Sequence, residues 1–138
     1  VAFVYGIAYA DLILRARQSY FEGEKYYRWY QNPSEKDAYA VRVYSSAQKR
    51  LESLAAEGKI TKDKYELELE KAATVKKTFL DESSIRYAYL WYQTGAELFT
   101  PPDSKWVRLS KLKMTEARQI WKKELSMKGI KYKDYMLD

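Results

Sequence analysis

"SIRYAYLWYQTGAELFTPPDSK", residues 84 to 105, joins the least charged helical stretch of the chain to its strongest helix stop. Across Ser84 to Phe99 only Arg86 and Glu97 are charged, and the remainder reads as apolar on nearly every side of a helical wheel. A helix of that kind is covered on several sides, which places it at the centre of a fold. Pro101 and Pro102 then end it, since neither can continue a backbone hydrogen-bond ladder, and Asp103 or Ser104 stands ready to cap the next helix.

A central helix needs neighbours, and the sequence on either side supplies them. Downstream, a helix is predicted from about Ser104 to Lys128, with Trp106, Leu109, Met114, Ala117, Ile120 and Trp121 on one side and Gly129 as its stop. Upstream, the polar "DESS" at 81 to 84 marks a break or kink; Asp81 or Ser83 is placed to cap a new helix there, and a continuous helix is equally permitted. The helix before it carries Tyr65, Leu69, Ala72 and Phe79 along one side. It is joined to its own predecessor by "LAAEGKITKDKY", in which Gly58 supplies a left-handed stop and Thr61 a cap. That is the turn chemistry of a tight antiparallel hairpin. The predecessor starts at Asn32 and Pro33 and runs its seam through Ala40, Tyr44, Ala47, Leu51 and Leu54.

The first helix is predicted over about residues 3 to 31. Its seam, Tyr9, Ile13, Ala16, Tyr20, Gly23, Tyr27 and Tyr30, alternates spacings of four and three. Phe21, Tyr26 and Trp29 lie off that seam. Together with the low Pro and Gly content, 3 and 5 in 138 residues, these patterns predict an all-α single domain over residues 1 to 138. It would hold about five helices as antiparallel hairpins in a bundle or a short repeat-like array. Residues 130 to 138, "IKYKDYMLD", follow as a docked strap or a frayed end.

The chain has no Cys and no His, which removes thiol nucleophiles, His bases and the usual zinc ligand sets. Carboxylate pairs such as Glu66 with Glu70, or Asp81 with Glu82, are common on solvated helices. Neither a catalytic activity nor a cofactor or metal is therefore expected. No stretch reaches the roughly 20 apolar residues of a membrane span. The opening "VAFVYGIAYA" resembles the end of a signal peptide, which would imply an extracytoplasmic location, and it also continues the helical pattern that follows.

Two features point to partners. Fourteen Tyr and four Trp exceed what one seam per helix absorbs, and rigid amphipathic rings suit interfaces. Phe21, Tyr26 and Trp29 are accordingly the expected partner-binding residues for a protein or peptide. The charge is also uneven: residues 104 to 138 hold ten Lys or Arg against four Asp or Glu, which equals the whole net charge of +6. Arg108, Lys111, Arg118 and Lys122 cluster on one side of the last helix, an alternative surface for nucleic acid or another polyanion. No recognised nucleic-acid motif accompanies them, so that reading ranks second. A homo-oligomeric assembly is the third use of surplus rings.

"WYQTGAELF" followed by "TEARQIWKKEL" resembles a diverged tetratricopeptide repeat, with Trp91, Gly95 and Leu98 at the first, fifth and eighth positions of the first repeat helix. Ala117 with Trp121 is similar to the Ala-x-x-x-aromatic of the second repeat helix, and Ala16 with Tyr20 to that of an earlier repeat. The "TPPDSK" link departs from the pattern, because it sets Ala117 well beyond its usual offset from Leu98. The resemblance implies stacked antiparallel helix pairs and a concave surface for a protein or peptide partner.

Overall fold

The computed structural model describes residues 1–138 and is all-helical. Five helices follow in order: α1 (Ala2–Gln31), α2 (Pro33–Ala56), α3 (Lys62–Asp81), α4 (Ser84–Glu97) and α5 (Lys105–Met127); a short 3-10 turn covers Asp134–Leu137. Local chemistry sets most of the boundaries. The hydroxyls of Thr61, Ser83 and Ser104 each accept from the backbone N–H three residues on, at Lys64, Arg86 and Val107. Gly58 and Gly129 take φ of +72° and +69° just past the ends of α2 and α5, a conformation that costs any other residue more. The break at 81 to 84 is real, and Ser83 rather than Asp81 caps α4. Asn32 is the exception: its side chain makes no capping bond, and Glu35 N–H donates to its carbonyl instead.

The chain divides into two compact units, one of residues 1–31 with 83–138 and one of residues 32–82. In the first, α4 packs against both α1 and α5. Its seven buried residues, including Ile85, Tyr89, Tyr92 and Gly95, explain why so little of its surface is charged. α1 and α4 run antiparallel: Tyr26 meets Tyr87, Gly23 meets Tyr92 and Ser19 meets Gly95. α5 runs parallel to α1, with Tyr20 beside Trp106 and Tyr27 bonded to Glu116. Ile85, Ala88, Tyr89, Tyr92, Ala117, Trp121 and Leu137 form the core, flanked by Tyr20, Tyr26 and Tyr27 of α1.

The three helices meet at small residues. A Cβ on Gly95 would stand 2.6 Å from Ser110 Oγ and 3.3 Å from Ser19 Cβ, and one on Gly23 would stand 2.5 Å from the Tyr92 ring. Ala16, Ser19 and Ser110 are fully or almost fully buried. The predicted α1 seam therefore holds from Ala16 to Tyr27, gains Ser19, and fails at its ends, where Tyr9 and Tyr30 are exposed.

The second unit is the α2–α3 hairpin. Tyr39 and Phe79 pair across it at 5.7 Å, and the Lys36 ammonium lies over the Phe79 ring while donating to the Glu82 carbonyl at 2.7 Å. An apolar groove of about 340 Å³ runs between the two helices, lined by Val43, Tyr44 and Val75 among others. α3 has no buried residue. No helix of the chain is long and apolar enough to cross a membrane.

Candidate functional site

The first unit is locked by a polar network laid across its three helices. Tyr92, fully buried on α4, donates to Glu24 of α1 at 2.6 Å. Tyr27 of α1 donates to Glu116 of α5 at 2.7 Å. Lys113 of α5 sits between the two carboxylates, 3.8 Å from Glu24 and 3.5 Å from Glu116, with its ammonium 4.2 Å from the centre of the Tyr27 ring. Burial first, and then the bond to Glu24, push the Tyr92 hydroxyl far above the usual tyrosine range. The bond to Glu116, and then burial, push Tyr27 up to about 12. The same bond holds the Glu116 carboxyl below its ordinary value. The raised phenols of Tyr92 and Tyr27 hold their protons as donors, and the lowered Glu116 carboxyl serves as an acceptor.

The sequence-predicted partner residues lie around this core in different settings. Phe21 is 48% exposed. It packs edge-on to Tyr20 at 5.4 Å and against Trp106 of α5 at 5.2 Å, and the Arg17 guanidinium lies 5.5 Å from its ring and 5.7 Å from that of Trp106. Lys105 approaches the same Trp106 ring at 5.1 Å. Phe21, Tyr20 and Trp106 thus make an aromatic ridge along one edge of the α1–α5 contact, rimmed by two cations.

Tyr26 points elsewhere. Five residues at about 100° each turn it roughly 140° away from Phe21. It is half-buried, stacked on Tyr87 of α4 at 5.4 Å and edge-on to Trp29 at 5.1 Å, with the Lys25 ammonium close to both rings. Trp29 is only 6% exposed. Of the three expected partner-binding residues, Trp29 is thereby corrected to a buried ring, Tyr26 is a half-buried packing ring, and Phe21 is the exposed member. Sequence reasoning missed both companions of Phe21: Arg17 stands four residues before it on the same helix and could have been paired with it by spacing, whereas Trp106 lies on another helix and carries no local signal.

The basic stripe on α5 is also less open than its spacing implied. Arg118 Nη2 pairs with Asp138 at 2.8 Å and donates to the Asp134 carbonyl at 2.9 Å. Lys122 pairs with the Asp134 carboxylate at 3.1 Å. Arg108 holds Asp103, ahead of its own helix, and Lys111 is exposed. The tail is a docked strap: Leu137 is 5% exposed within the core cluster, and Tyr132 packs at its margin. Beside the strap, between α4 and α5, lies a cleft of about 480 Å³ lined by Tyr89, Gln93, Glu97, Met114 and Arg118 among others. No protein-family model, curated protein or solved structure matches this chain.

Proposed function

We propose that the protein is a non-catalytic helical scaffold module that binds a protein or peptide partner through the aromatic ridge centred on Phe21. The observation that supports this reading is the ridge itself. Phe21 leaves about half its surface in water, 48%, while Tyr20 and Trp106 fix its ring from the side. A ring already held by neighbours loses little rotamer freedom on docking, so it brings apolar area to an interface at low entropic cost. Arg17 and Lys105 at the rim favour a partner that carries a carboxylate near its own apolar anchor. The tetratricopeptide-like stretch from Trp91 to Leu98 agrees with a role in holding polypeptide.

A photo-reactive phenylalanine analogue placed at position 21 tests the proposal. Cross-linking in the native cell to a polypeptide other than this chain is the expected result, and Phe21→Ala in the purified pair should weaken binding by about 2 kcal/mol. Cross-links confined to nucleic acid would favour the basic face of α5 instead, and cross-links confined to copies of the chain would favour a homo-oligomer.

A further inference from the structure

Three observations bear on the strap and the cleft beside it. Leu137 is inserted into the core of the first unit, next to Tyr89 and Trp121, as the only deeply buried side chain of residues 130 to 138. Asp134 and Asp138 stand on either side of it and pair with Lys122 and Arg118 of α5. Arg118 meets both the Asp138 carboxylate and the Asp134 carbonyl through one atom, Nη2, while its Nε is buried with no partner at all.

A guanidinium bonds a carboxylate best side-on, through Nε and an Nη together. The strap engages Arg118 end-on and leaves Nε without a partner, so it meets only part of what the guanidinium can donate. Open space of about 480 Å³ borders Arg118 and Asp138, lined also by Gln93 and Gln119. The strap's own hold is modest. The acidic side chains of both its ion pairs are more than half exposed, at 59% and 76%, and it leaves α5 through the left-handed turn at Gly129.

We propose that the seat of the strap, the Leu137 socket with Lys122 and Arg118 beside the α4–α5 cleft, is a binding site for an acidic peptide bearing an apolar anchor between carboxylates, and that residues 134 to 138 occupy that seat in cis as a competing strap. The partner peptide fills the Leu137 socket with an apolar side chain and brings its carboxylates to Lys122 and, side-on, to Arg118. The site is separate from the aromatic ridge, because neither Phe21 nor Trp106 lines it. Failure of one therefore leaves the other standing.

The test uses the full chain and a labelled, end-blocked peptide with the sequence of residues 134 to 138, which carries two Asp and no basic residue, followed by fluorescence anisotropy. A strap that closes the site lowers apparent affinity by the fraction of time the site is open, so Asp134→Lys with Asp138→Lys should bind the peptide at least about tenfold more tightly than the unaltered chain. Arg118→Ala added to that released chain should remove the gain. The peptide with Asp in place of the leucine that corresponds to Leu137 should not bind, which tests the socket without altering the protein. Asp138→Asn, which removes only the pair to Arg118, should give the same ordering with a smaller gain and serves if the double variant does not fold. Equal affinity of released and unaltered chains, or indifference to Arg118→Ala or to the leucine substitution, would overturn the proposal.

Discussion

At Gly95 the smallest side chains of three helices face one another, with Ser19 on α1 and Ser110 on α5 completing the contact. Ser110 is fully buried and its hydroxyl has no hydrogen-bond partner, so the contact is set by volume rather than by bonding. Gly95→Ala is expected to destabilise the protein by about 1–3 kcal/mol, read as a lower urea midpoint at an unchanged slope. Tyr27 offers a second test, through pH. Its folded-state value is raised to about 12 from an ordinary 10.0, so the unfolded chain releases that proton first. The stability it contributes is fully present below pH 10 and is lost as pH climbs toward 12. Glu116 has the opposite sign: its folded value is lowered, so its contribution is present above the ordinary carboxylate value of 4.5 and is lost on acidification through the folded value. Urea titrations at pH 9 and 11.5 should show a steeper loss for the unaltered chain than for Tyr27→Phe. Equal losses would mean that the Tyr27–Glu116 bond is absent in solution.

Along an element, the same physics explains what was legible in the sequence and what was not. The cap at Thr61 and the stops at Gly58 and Gly129 depend on residues three or four apart, so they could be read directly, whereas the choice of Ser83 over Asp81 and of Ser104 over Asp103 stayed open until the structure decided it. The central position of α4 was equally plain, because a helix with two charges has no face to give to water. Trp29 was misplaced because one straight seam was assumed for all of α1. A helix of 30 residues changes neighbours along its length, and near its C-terminal end a different face is covered. Trp29→Ala is accordingly expected to cost about 3–5 kcal/mol in thermal or urea unfolding, a core value. Phe21→Ala should cost only about 1 kcal/mol, the worth of an aromatic pair. Ser19 and Ser110 were missed for another reason: serine reads as solvated, and only the nearby Ala16, Gly23 and Gly95 hinted at close approach. The pairing of Arg118 and Lys122 with Asp134 and Asp138 depends on how the strap returns after Gly129, and no periodicity encodes that return.

For the molecule as a whole, the two units differ in how much they bury. α4 carries seven buried residues, whereas α2 carries three and α3 none. Local opening follows buried contact, so amides of α3 should exchange with deuterium at least about tenfold faster than those of α4 under native conditions. Uniform protection across both units would indicate that the α2–α3 hairpin opens only with the rest. The first unit also gathers the features proposed for binding: the ridge at Phe21, the strap and its cleft all stand on the frame that Tyr92, Glu24, Lys113, Glu116 and Tyr27 tie together. A rigid frame bearing exposed, preorganised rings is the arrangement on which the scaffold reading rests. Its most direct test is the affinity of Phe21→Ala for the partner captured at position 21, measured by calorimetry alongside the thermal midpoint. The expected result is a loss of about 10- to 100-fold in affinity with a midpoint lowered by less than about 4 °C. Unchanged affinity, or a midpoint that falls as far as that of Trp29→Ala, would contradict the claim that Phe21 is a docking residue.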